Sequence, residues 1–122
     1  MKLEGKVAYI TGGTKGIGYG IAKSLLEQGM KVAISGRSKE SADTAVKGLN
    51  NPNHVLGLVS DVSDLEDEQK AVAAILDKWG QLDVVMANAG VGHFAPIDEL
   101  KDDKWHQMIN TNLNGVYHTL KA

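Results

Sequence analysis

Two hydrophobic periods alternate along this chain, and that alternation restricts its fold more than any other feature. Residues 7–10 are a short apolar run with β-branched and aromatic members. Residues 16–29 follow a helical period, with Ile17, Ile21, Leu25 and Gln28 on one face, widened by Ala22 and Leu26. Gly29 is placed to stop that helix. Residues 32–35 form a second strand, and residues 39–50 a weaker helix ended by Asn50-Asn51-Pro52. Residues 55–59 are a third strand. Ser63 and Glu66 have the spacing of a capping box, ahead of a helix that displays Leu65, Val72, Ile75, Leu76 and Trp79 and stops at Gly80. Residues 82–87 are almost continuously apolar, as a strand covered on both faces must be. A loop through residues 88–100 leads to a last helix from about Asp102. Strands alternating with helices in this way specify an α/β fold with a parallel sheet and right-handed crossovers. No repeat, linker or change of composition divides the sequence, so residues 1–122 read as one unit.

Composition then removes several classes of function. Thirteen Lys and Arg against 15 Asp and Glu give a formal net charge of -2, with no basic excess to hold nucleic acid. The chain has no cysteine, which excludes a disulfide scaffold, a thiolate metal site and a Cys nucleophile, and fits the cytoplasmic location we expect. Lys2 and Glu4 precede the first strand directly, leaving no apolar segment of leader length. No apolar stretch approaches the roughly 18 residues that would cross a bilayer, so no membrane partner is expected. His54, His93, His106 and His118 show no metal-ligand spacing, and no metal is expected. Glycine is the outlier: 14 of 122 residues, against an average of about 7%.

Those glycines concentrate in Thr11-Gly12-Gly13-Thr14-Lys15-Gly16-Ile17-Gly18, between the first strand and the first helix. A parallel strand–helix junction offers free amide hydrogens and the positive end of a helix dipole. Glycines there let the backbone turn tightly and let a pyrophosphate approach, while Gly18 lets the helix pack on the strand. A P-loop needs its Lys after the last glycine, whereas Lys15 precedes Gly16. A methyltransferase site would want a carboxylate at the end of the second strand, and so would a site for NAD. This sequence has Ser35-Gly36-Arg37-Ser38 there. A guanidinium at that point suits an adenosine 2′-phosphate, and Lys15 supplies a second cation. The cofactor expected is NADP(H) in preference to NAD(H).

These residues, in this order, resemble the classical short-chain dehydrogenase/reductase family. Its TGxxxGxG turn matches residues 11–18, and its Asp-Val after the third strand matches Asp61-Val62. Its Asn-Ala-Gly after the fourth strand matches Asn88-Ala89-Gly90, and its Asn-x-x-Gly on the fourth helix matches Asn112 to Gly115. The resemblance implies a Rossmann-type doubly wound sheet, here with strand order 3-2-1-4 and without the family's strands five to seven. It implies cofactor contacts from Gly12, Thr14, Lys15, Gly16, Ile17, Gly18, Arg37, Ser38, Asp61, Val62, Asn88, Ala89 and Gly90, with Asp61 on the adenine amino group. It implies hydride transfer between nicotinamide and a small carbonyl or alcohol substrate, and a catalytic part for Asn112 in a proton relay. The family's catalytic Ser and Tyr-x-x-x-Lys lie after the fourth helix, where this chain stops. The chain alone is therefore expected to be inactive. The alternative is a non-catalytic dinucleotide-binding module with the same fold.

The last helix breaks local rules. Trp105, Met108, Ile109, Leu113, Val116, Tyr117 and Leu120 form an apolar stripe into which Asn112 falls. A buried amide without partners costs about 1–3 kcal/mol, and Asn110, Asn112, Asn114 and Gly115 are all poor residues for a helix interior. Such a conflict marks function or strain. The stripe is wide enough for both sheet and partner, and the family's use of this helix implies a homodimer or homotetramer. The helix has no stop signal, and residues 84–86 would make an apolar, uncharged sheet edge. Both features suggest the N-terminal part of a larger domain. His93 reads as a solvated loop residue.

Overall fold

A computed structural model describes residues 2–90 and 96–122; the reading of His93 lies outside them. The elements run β1 (Val7–Thr11), α1 (Gly16–Glu27), β2 (Lys31–Gly36), α2 (Lys39–Leu49), β3 (Val55–Val59), α3 (Leu65–Trp79), β4 (Val84–Met86), α4 (Asp102–Ile109), a π-helical segment (Asn110–Asn114) and α5 (Gly115–Lys121). The strands form one sheet in the order β3-β2-β1-β4. All three pairings are parallel, with Val7 opposite Lys31, Val32 opposite Val55 and Ala8 opposite Val84. This is the doubly wound order expected. It sets every strand's carboxyl end along one edge and reverses direction beside β1, where open α/β sheets leave a crevice.

Alternation along the strands divides the core into two layers. Ala8, Ile10, Val32 and Ile34 face Ala22 of α1 and Ala45 of α2. Val7, Tyr9 and Ala33 face Ala71 and Ile75 of α3. Small residues lead the helix faces, so the helices lie close to the sheet. Ile21, Leu25 and Leu26 pack only partly against it, and Ile17 is exposed. Leu76, expected on the apolar face of α3, is also exposed.

The helix stops at Gly29, Asn50 and Gly80 are as read, each at positive φ. The start of α3 differs. Asp64, not Ser63, is the cap, its carboxylate accepting from the amides of Glu66 (3.0 Å) and Asp67 (3.4 Å). Ser63 is otherwise engaged: its amide and hydroxyl both donate to Asp61 Oδ1, at 2.9 and 2.7 Å. β4 is also shorter than the apolar run around it, because Asp83 turns back to accept from the Val7 amide at 2.8 Å.

The last helix is corrected most. Trp105, Leu113, Tyr117 and Leu120 are 49%, 64%, 60% and 66% exposed, whereas Thr111, Gly115 and Thr119 are buried. Asn112 is exposed, so it does not owe its place to a buried apolar face. Close approach decides which face turns inward. A Cβ on Gly115 would lie 2.6 Å from Val62 Cγ2, and Thr119 Oγ1 donates to Glu68 Oε1 at 2.6 Å. The π-helical segment coincides with the run of poor helix formers at Asn110, Asn112 and Asn114. Such segments recur at functional sites.

Candidate functional site

The glycine turn leaves β1 and enters α1 with Gly12 at φ +66° and Gly16 at φ +61°. Gly18 has no room for a side chain: a Cβ would sit 2.5 Å from the Gly12 carbonyl oxygen and 2.6 Å from Asn88 Nδ2. The turn therefore closes tightly beneath α1. The helix begins after Lys15 with no side-chain cap, so its first amides face outward with the positive end of the dipole.

The ends of β2 and β3 complete one wall. Thr14 packs over Gly36, where a Cβ would meet its methyl at 2.7 Å. Arg37 is exposed, and Ser38 caps α2 by accepting from the Ser41 amide at 3.2 Å. Beyond β3, the Asp61 amide donates to Asp67 Oδ2 at 3.0 Å while its own carboxylate holds Ser63. His118 Nδ1, on α5, donates to the Val62 carbonyl at 2.7 Å.

The opposite wall is stitched to the turn by Thr11. Its buried hydroxyl accepts from the amides of Asn88 (3.0 Å) and Ala89 (3.1 Å), and Asn88 Nδ2 donates to the Gly12 carbonyl at 3.2 Å. Gly90 approaches Asn112, whose Oδ1 would lie 3.2 Å from a Cβ at that glycine. Between the walls runs a cleft of about 640 Å³. Gly12, Thr14, Lys15, Gly16, Ile17, Arg37, Ser38, Asp61, Val62, Asn88, Ala89 and Gly90 all line it. Gly18 stands behind the lining, and Asn112 borders it at Gly90. Ser35, Gly36, Ser41, Ser60 and Thr111 also line it. Their serine hydroxyls carry no periodic signal that a sequence reading could use.

Sequence reasoning also missed a polar cluster beneath this floor. Glu68 is fully buried. Its Oε2 accepts from the Tyr9 hydroxyl in a short contact and from Ser60 Oγ at 3.1 Å, and its Oε1 from Thr119. Burial first, and then Glu68, push the Tyr9 phenol far above its ordinary range. Tyr9 lies on the strand and Glu68 on α3, 59 positions apart, so no local pattern signals the pair. Among the described residues, no group of acidic or histidine side chains could hold a metal, and no helix is long and apolar enough to cross a membrane.

A doubly wound sheet with a glycine turn at its switch point defines a class of nucleotide-binding α/β protein. Within that class the chain belongs to the short chain dehydrogenase family, whose model matches residues 6–122. It is 37% identical over 122 residues to a 3-oxoacyl-(acyl-carrier-protein) reductase of Vibrio harveyi, covering 100% of this chain and 49% of that protein. A crystal structure of a short-chain glucose/ribitol dehydrogenase from Brucella melitensis superposes with a TM-score of 0.94 at 28% identity, covering 99% of this chain and 51% of that one. A 3-ketoacyl-(acyl-carrier-protein) reductase from the same organism, complexed with NADH, has a TM-score of 0.92 at 34% identity, covering 98% and 49%. The chain spans about half the length of the curated relatives it matches.

Proposed function

We propose that this chain holds the dinucleotide of a short-chain oxidoreductase that prefers NADP(H) to NAD(H). The observation that carries the reading is the cleft itself. The uncapped start of α1 and the cations Lys15 and Arg37 border one continuous cavity. The turn suits a diphosphate, because Gly12 and Gly18 let it close against Asn88 and Ala89 with no side chain between, leaving the uncapped first amides of α1 at the cleft. Asp61 would meet an adenine amino group and Arg37, with Lys15 and Ser38, a 2′-phosphate; that all four line the cleft supports this. Asn88, Ala89 and Gly90 would lie along the nicotinamide end. When bound, the cofactor supplies the hydride, and the chain orients the ring.

Asn112, beside Gly90 on the π-helical segment, is proposed to position a proton-relay group at that end. The partner would be a small carbonyl or alcohol substrate. Two Tyr-x-x-x-Lys spacings occur here, at Tyr19 with Lys23 and at Tyr117 with Lys121. Tyr19 packs against Gly48 of α2 and Tyr117 is exposed on α5, and neither lines the cleft. The chain by itself is therefore expected to bind cofactor without turning over substrate. The exposed stripe of Trp105, Leu113, Tyr117 and Leu120 supports a homo-oligomer built on this face.

The test is a fluorescence titration of the chain with NADPH and NADH. Charged hydrogen bonds are worth about 1.5–3 kcal/mol each, so NADPH should bind about ten- to a hundredfold more tightly. Arg37→Asp should reverse that order. Unchanged selectivity would remove the 2′-phosphate reading, and no binding of either cofactor would remove the dinucleotide site.

A further inference from the structure

We infer that His118 is a positioning residue for the adenine end of the cleft, acting on Asp61 through one peptide group; this rests on the proposed dinucleotide reading. The path is short and each step is a hydrogen bond. A carbonyl oxygen can only accept, so His118 Nδ1 carries the hydrogen it donates to the Val62 carbonyl at 2.7 Å. The same peptide unit carries the Ser63 amide, which points the opposite way and donates to Asp61 Oδ1 at 2.9 Å. The Ser63 hydroxyl donates to that oxygen as well, at 2.7 Å. A donor on the carbonyl polarises the peptide and strengthens what its N–H gives on the far side. Asp61 Oδ1 is thereby fixed by two donors, which holds in one orientation a carboxylate on a residue that lines the cleft.

His118 can do this because α5 is docked on the same segment by two neighbours. Gly115 meets Val62, where a Cβ would come within 2.6 Å of Cγ2. Thr119 donates to Glu68 Oε1 at 2.6 Å, and Glu68 Oε2 in turn accepts from Ser60 at 3.1 Å. Gly115, His118 and Thr119 thus grip the stretch from Ser60 to Glu68 that ends β3 and starts α3. His118 is the member of the three whose hydrogen bond is relayed to a cleft carboxylate.

The readout is discrimination between adenine and hypoxanthine. Adenine offers an amino donor where hypoxanthine carries a carbonyl oxygen, which a fixed carboxylate repels. NADPH and its reduced hypoxanthine analogue would be titrated on the 122-residue chain by nicotinamide fluorescence. The wild type should prefer adenine about tenfold or more. His118→Gln keeps a polar, helix-compatible side chain but moves the donor away from the Nδ1 position, and should lower the preference about three- to tenfold. His118→Asn returns an amide N–H near the Nδ1 position and should restore it. The inference is overturned if His118→Gln leaves the ratio intact, if it weakens both ligands by one common factor, or if His118→Asn falls as far as the Gln variant. Asp61→Ala separates the two levels: a ratio unchanged in that variant overturns the adenine reading itself, and His118's part with it.

Discussion

Thr11→Val isolates the contact that ties the two walls of the cleft together. The two side chains are nearly isosteric and both are β-branched, so strand propensity and packing at this 1% exposed position stay the same. What disappears is a hydroxyl oxygen that accepts from two amides, Asn88 at 3.0 Å and Ala89 at 3.1 Å. The Asn88 amide keeps a second acceptor, the Met86 carbonyl at 2.9 Å, so the Ala89 amide is the one left without its partner, at a cost of about 1–3 kcal/mol. The expected loss is about 2 kcal/mol, a sizeable share of a typical domain's net stability of about 5–15 kcal/mol. Urea unfolding should show the midpoint falling with an unchanged slope, since the surface exposed on unfolding is the same. Thr11→Ser is the control. It keeps the oxygen and loses one methyl, at a cost of about 1 kcal/mol. If Val is as stable as Thr, or if Ser and Val lose equally, the hydroxyl does not carry the junction.

Three further outcomes follow from the same geometry. Tyr9 gives stability a pH dependence above the usual tyrosine range: the unfolded phenol ionises near about pH 10, while the folded one is held protonated by burial and Glu68. The unfolded state then binds fewer protons, so stability is complete below about pH 10 and falls by about 1.4 kcal/mol per pH unit above it; Tyr9→Phe should flatten that limb of a denaturation series, and an unaltered slope would refute the assignment. Gly18→Ala sets a Cβ 2.5 Å from a backbone oxygen, so it should cost about 1–3 kcal/mol and abolish NADPH uptake in the fluorescence titration; normal uptake would show that the turn does not cradle the cofactor. Gly115→Ala places a Cβ 2.6 Å from Val62 Cγ2 and should loosen α5, read as faster amide exchange across Gly115–Lys121 than across α1; equal protection would mean that α5 does not need that close approach.

Much of the architecture was legible without coordinates because it rests on local signals. The alternating periods gave the parallel sheet, Gly29, Asn50 and Gly80 marked three helix ends, and the glycines at 12, 16 and 18 marked the turn. Each of these depends on a residue's own backbone freedom or on neighbours within a few positions. The cleft was partly legible for the same reason: strand ends can be located in sequence, and twelve of the fourteen residues proposed for the site line it, with Gly18 behind and Asn112 beside it.

What the chain's own order of residues could not determine is which surfaces meet at a distance. Hydrophobic period selected Trp105, Leu113 and Tyr117 as the inner face of the last helix, yet Thr111, Gly115 and Thr119 took that place. Gly115 allows closer approach to Val62, and Thr119 finds an acceptor on Glu68 some 51 positions away. The burial of Glu68, the bridging hydroxyl of Thr11 and the reach of His118 to Val62 have the same origin. Periodicity reports how apolar a face is, whereas the tertiary structure decides which faces fit closely enough, and with enough hydrogen-bond partners, to exclude water.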